Sequence, residues 1–108
     1  MYTNVRYVDS IEALDAVFEE SLENPVVIFK HSISCGISAH ILERVVTIGA
    51  DINVVVVQSC RDLSTAIETR TGHRHQSPQV FVIRDGKAVY QASHYGIDAA
   101  AISRFLQQ

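Results

Sequence analysis

Cysteine, proline and long apolar runs are scarce in this 108-residue chain, and each scarcity excludes something. It carries two cysteines and two prolines. Cys35 and Cys60 form neither a CxxC pair nor a metal-ligand spacing, so a disulfide-stapled scaffold is excluded. No close pairs of ligands at established spacing join His31, His73, His75 and His94 to a cysteine, so no resident metal is expected. The longest apolar runs, such as Val54-Val55-Val56-Val57, fall far short of the roughly 20 residues needed to cross a bilayer. Met1–Arg6 lacks the apolar stretch and small-residue cleavage site of a signal peptide, so the expected compartment is the cytoplasm, with no membrane partner. No Lys/Arg run appears, and nine basic against twelve acidic residues leave a net charge of −3. That balance argues against a nucleic-acid partner. There is no repeat and no low-complexity segment.

What is present is the composition of a compact α/β domain: 47% hydrophobic and 19% charged residues, enough for one core spanning 1–108. Asp9 with Glu12 three residues on predicts a capping-box helix start, and Ile11, Leu14, Phe18 and Leu22 give a helical stripe over about 9–23, stopped by Pro25. Val26–Phe29 and Asn53–Gln58 are unbroken β-branched runs, as expected for strands covered on both faces. Ile37, Ile41, Leu42, Val45 and Ile48 mark a helix between them, ending at Gly49. Strand, crossover helix and strand form a parallel βαβ unit. A third helix, with Leu63, Ala66, Ile67 and Arg70, ends at Gly72. Gln79–Ile83, Asp85-Gly86 and Ala88–Tyr90 read as a hairpin, and Ile97–Leu106 as a closing helix with Ile102, Phe105 and Leu106 inward. Residues 4–8 fit a short edge strand. The expected architecture is a small mixed sheet of four to five strands with helices on both faces.

Cys35 falls at the carboxyl end of the first buried strand, immediately ahead of a helix, where open α/β sheets place their ligands. Helix N-terminal amides and the helix dipole favour a thiolate there. Ser32, Ser34, Gly36 and Ser38 predict polar, exposed surroundings, and Lys30 and His31 stand at the same strand end as sources of positive charge. Ser77-Pro78 opens the hairpin directly, and a cis bond there would present the Ser77 backbone to an extended ligand. Cys60 emerges at the same sheet end and is either a resolving thiol or a packing residue. His40, Arg61 and Arg74 read as surface residues, and Glu19, Glu20 and Glu23 as a solvated helix face.

A lone cysteine after the first buried strand, with a proline opening the hairpin, resembles the thioredoxin fold. More narrowly, Phe29–Ser38 (FKHSISCGIS), His75–Val80 (HQSPQV) and Ala92-Ser93-His94 resemble the YtxJ-type monothiol bacilliredoxins of the bacillithiol system, over nearly the whole chain. That resemblance implies thiol–disulfide exchange through Cys35, with S-thiolated proteins as partners and a bacillithiol-like low-molecular-weight thiol as co-substrate. No tightly bound cofactor is implied. It further implies that Lys30, His31, Gly36, Ser38, Ser77, Pro78 and His94 surround the ligand. Lys30 would supply the cation for an anionic group and Ser77 the backbone hydrogen bonds. The family more often has proline where this chain has Gly36. The resulting Cys-Gly-Ile-Ser is close to the Cys-Gly-Phe-Ser of monothiol glutaredoxins, so a [2Fe–2S] carrier is one alternative. A non-catalytic thioredoxin-like binding module is the other.

Overall fold

The computed structural model describes residues 3–108. In chain order the elements are β1 (Val5–Tyr7), α1 (Ile11–Glu20), β2 (Val26–His31), α2 (Gly36–Val45), β3 (Ile52–Val56), α3 (Arg61–Thr71), β4 (Gln79–Arg84), β5 (Lys87–Ser93) and α4 (Ala99–Gln107). Short 3-10 turns follow α2 at Val46–Ile48 and β5 at His94–Gly96. The five strands form one sheet in the order β1-β3-β2-β4-β5. β1 and β2 run parallel to β3, while β4 is antiparallel to β2 and β5.

Side chains alternate across a strand, and β2 shows what that does here. Val26 and Ile28 join Leu14 and Val17 of α1 and Leu63 and Ile67 of α3 in one core. Val27 and Phe29 join Ile41, Leu42 and Val45 of α2 and Ile102 of α4 in the other. The sheet is therefore covered on both faces, which is why its central strands read as continuous apolar runs. Each fully buried Phe, Ile or Leu contributes roughly 1.5–3 kcal/mol by leaving water. Lys30 continues the α1/α3 side of β2 and His31 the α2/α4 side.

The expected edge strand is present as β1, paired to β3. The hairpin is also as expected: Asp85 and Gly86 both hold positive φ, 54° and 76°, the pattern of a two-residue type I′ turn. Its return strand is longer than the expected 88–90, running to Ser93. α4 begins at Ala99 rather than Ile97, because the Asp98 side chain caps it by accepting from the Ala100 amide.

The first helix differs most from its sequence reading. Its N-cap is Ser10, whose hydroxyl accepts from the Ala13 amide at 3.1 Å. Asp9 lies outside because the Val8 amide still bonds to Val54 in sheet fashion, keeping the chain extended one residue longer. The helix stops at Glu20, five residues before Pro25. Ser21 is drawn away to the hairpin, its carbonyl accepting from Asp85 N–H and its hydroxyl from Gly86 N–H. The buried stripe is consequently Leu14 and Val17, while Ile11 and Leu22 are exposed. Among the described residues no helix is long and apolar enough to cross a membrane.

Candidate functional site

The strand registers gather the sequence-predicted residues at one end of the sheet. Lys30 pairs with Gln79 and with Val55, His31 pairs with Val56, and Gln79 pairs with Ser93. One step further on, the β2–α2 loop, Pro78 and His94 stand side by side. The Ser77–Pro78 peptide bond is cis, and the Pro78 carbonyl accepts from the His94 amide at 3.0 Å. Pro78 is buried and Ser77 half-buried, while His94 is exposed at a φ of 52°.

Cys35 is half-buried and is the N-cap residue of α2, where its side chain makes no capping hydrogen bond. The sulfur is thus uncommitted at a helix end whose leading amides lack intrahelical acceptors. Gly36, the first helical residue, is exposed, and nothing lies within 4 Å of where its Cβ would stand.

Two polar clamps fix the loop before Cys35. Ser38, fully buried, accepts from the Ser32 amide at 3.0 Å and stands 2.7 Å from His31 Nδ1. Ser38 Oγ thus bridges the Ser32 amide and the His31 ring, the direction of its bond to Nδ1 following the His31 tautomer. Gln58 forms the second clamp. Its Nε2 donates to the hydroxyls of Ser32 (2.8 Å) and Ser34 (3.0 Å), and its Oε1 accepts from the Ile33 amide (3.2 Å).

Three expectations about this end need correction. The surroundings of Cys35 are less open than four serine and glycine positions suggested: Ser32 and Ser38 are buried, because both serve the clamps. His31 brings no positive charge at neutral pH, since burial lowers its pKa below 6.5. Lys30 lies fully buried on the α1/α3 side, the face of β2 opposite α2, and desolvation lowers its pKa to about 8, partly offset by Glu68.

Cys60 is the N-cap residue of α3 and packs in the core with Leu63 and Ile67. Burial, Asp62 and Asp9 all raise its pKa. Both cysteines are free. Among the described residues no three His, Cys, Asp or Glu side chains are placed to hold a metal ion. Gln58 escaped the sequence reading, since a glutamine after a run of valines carries no signal. Ser64 and Glu68 escaped it as unremarkable helix positions.

The same fold recurs in solved structures. One provisionally described as an oxidoreductase with a thioredoxin fold is 30% identical, with 94% of this chain and 92% of that chain covered at a TM-score of 0.84. A mutant thioredoxin from Halobacterium salinarum NRC-1 is 18% identical, with 96% and 88% covered at 0.77. Fasciola hepatica thioredoxin is 16% identical, with 94% and 96% covered at 0.73. The fold is that of thioredoxin, and the class is thiol redox protein. Within that class the model of the family described as monothiol bacilliredoxin BrxC matches residues 6–102. The chain belongs to the monothiol bacilliredoxin family.

Proposed function

We propose that the chain removes a low-molecular-weight thiol, of bacillithiol type, from S-thiolated proteins. The Cys35 thiolate attacks the small-thiol sulfur of a protein mixed disulfide. A Cys35–small-thiol disulfide forms, the protein–sulfur bond breaks, and the protein leaves as its thiolate. A second small-thiol thiolate then attacks the small-thiol sulfur of that disulfide, and the bond to Cys35 Sγ breaks. This releases the symmetrical small-molecule disulfide and restores Cys35. Over the cycle the protein sulfur passes from disulfide to thiol level and the one incoming small thiol from thiol to disulfide level, while the small-thiol sulfur already in the mixed disulfide keeps its level, so electrons balance without a second protein cysteine. The single observation that carries this reading is a half-buried sulfur free of capping bonds at the start of α2, with a buried serine hydroxyl, not a thiol, at position 38. In this reading Ser77, Pro78 and His94, joined by the cis bond and the hydrogen bond between Pro78 and His94, take the ligand together with Gly36 and His31. No tightly bound cofactor is required.

The test is intact-protein mass spectrometry after incubation with oxidised bacillithiol and, separately, oxidised glutathione. The expected result is one bacillithiol adduct on Cys35, retained in Cys60→Ser and absent in Cys35→Ser. Adducts on Cys60 alone would overturn the site, and an adduct with glutathione only would overturn the thiol.

A further inference from the structure

The ladder between β2 and β3 pairs His31 with Val56 and closes with the Val57 amide donating to the His31 carbonyl at 2.9 Å. Beyond that bond the two chains part, β2 into the redox loop and β3 towards α3. Gln58 is the next residue, and its side chain continues the ladder in place of the backbone. A carboxamide carries the donor and the acceptor of a peptide group. Its Oε1 accepts from the Ile33 amide as a strand carbonyl would, and its Nε2 donates to the Ser32 and Ser34 hydroxyls. One side chain thus holds three consecutive loop residues from 24 to 26 positions away in the chain.

The Ser38 clamp is of a different kind. Its partners Ser32 and His31 are six and seven positions away, so it spans only the loop itself, from the end of β2 to the start of α2. Gln58 reaches the loop from outside. The two clamps meet at Ser32, whose amide donates to Ser38, whose hydroxyl accepts from Gln58, and whose carbonyl accepts from the Cys35 amide at 3.3 Å. Whatever fixes Ser32 against β3 therefore fixes the backbone of Cys35. Packing gives the loop little else to rest on, since Ile33 and Ser34 are exposed. On its other side Gln58 borders a cavity of about 360 Å³ with Arg61, Ser64, Thr65, Glu68 and His75. The buried Ser64 hydroxyl in that cavity has no hydrogen-bond partner among the described residues. Leaving such a group unpaired is costly, yet the three bonds of the Gln58 carboxamide go to the loop.

We propose that Gln58 is a positioning residue for thiol exchange: from beyond the end of β3 it holds loop 32–34 so that the Cys35 sulfur stands where a disulfide seated against Pro78 and His94 can be attacked in line. It acts through the loop and not on the sulfur. The proposal rests on the exchange reading above. A substrate seated on another part of the protein cannot follow a displaced sulfur, and a shift of about 1 Å can cost up to about a hundredfold in rate. A small alkylating reagent approaches from any open side and carries no such requirement.

The test compares two second-order rates at Cys35 at pH 7 by mass spectrometry, exchange with bacillithiol disulfide and alkylation by iodoacetamide. Both consume the same thiolate, so their ratio cancels changes in its ionisation. Gln58→Met, which keeps the side-chain length and removes its hydrogen bonds, is expected to lower the ratio about tenfold. Ser34→Ala, which removes one bond of the three, is expected to lower it about two- to threefold. Gln58→Glu offers its carboxylate to the Ile33 amide and to both hydroxyls. With its charge screened by about 0.5 M salt, it is expected to bring the ratio back to within about threefold of wild type. A role confined to stability would shift the denaturation midpoint and leave the ratio where it was. An unchanged ratio in Gln58→Met and Ser34→Ala overturns the positioning role and leaves the exchange reading standing. A fall that Gln58→Glu does not reverse overturns it too, because the hydrogen bonds are then not the cause. Gln58 and Ser34 are both exposed, so Ser34→Ala carries the test even if Gln58→Met does not fold. Normal alkylation with no bacillithiol adduct in wild type overturns the exchange reading and, with it, the part assigned to Gln58.

Discussion

Cys35 and Cys60 occupy equivalent places in the topology. Each follows one of two adjacent parallel strands, each is the N-cap residue of the next helix, and neither side chain caps that helix. They differ in everything else that governs a thiol. Cys35 is half-buried in a loop held by Ser38 and Gln58, whereas Cys60 is 7% exposed among Leu63 and Ile67. Asp62 and Asp9 add negative charge near Cys60. A helix start is therefore not sufficient to make a nucleophile. Access and the sign of the neighbouring charges decide, and here they oppose the helix dipole at one cysteine only.

The largest effect that would break this contrast is in alkylation. At pH 8, iodoacetamide should modify Cys60 in the folded protein at least a hundredfold more slowly than Cys35, as read by peptide mass spectrometry. Comparable rates would mean that burial does not protect Cys60. A smaller effect lies in the pH dependence of stability. The His31 pKa is held below 6.5 by burial, so between its folded value and 6.5 the unfolded chain binds more protons than the folded one. Stability should be fully present above pH 6.5 and fall as pH drops through that window. Chemical denaturation at pH 7 and pH 5 should show this fall, with a shallower slope in His31→Gln. His75 adds to it with the same sign, which is why the slope should shrink and not vanish. The smallest effect is at Gly36, where a Cβ meets nothing. A proline at the first position of a helix is pre-set in φ and costs no intrahelical bond. Gly36→Pro should raise stability by about 0.5–1 kcal/mol, measured by thermal denaturation, without abolishing the Cys35 adduct.

How much of this was legible follows from what each residue depends on. The strands β2, β3 and β4 were plain, because being covered on both faces imposes apolar side chains at every position. Asp85-Gly86 was plain because few residues tolerate positive φ at both places. Cys35 stood out by its position at a strand-to-helix junction. The cap of α1 was not legible: Asp9 and Ser10 are both good caps, and the choice falls to the Val8–Val54 bond across the sheet. Nor was the depth of Lys30, since lysine is almost never fully buried and its neighbours Glu68 and His75 arrive from 38 and 45 positions along the chain. Ser38 was placed at the site by its spacing, but its two hydrogen bonds depend on how the loop folds back.

Those two bonds have a consequence for timing. With its hydroxyl spent on Ser32 and His31, position 38 has nothing to offer a disulfide on Cys35. In the exchange proposed here the loaded protein keeps no internal clock. It waits for a collision, so the lifetime of the loaded form is set by how much free small thiol surrounds it, and the protein reports that supply each time it turns over.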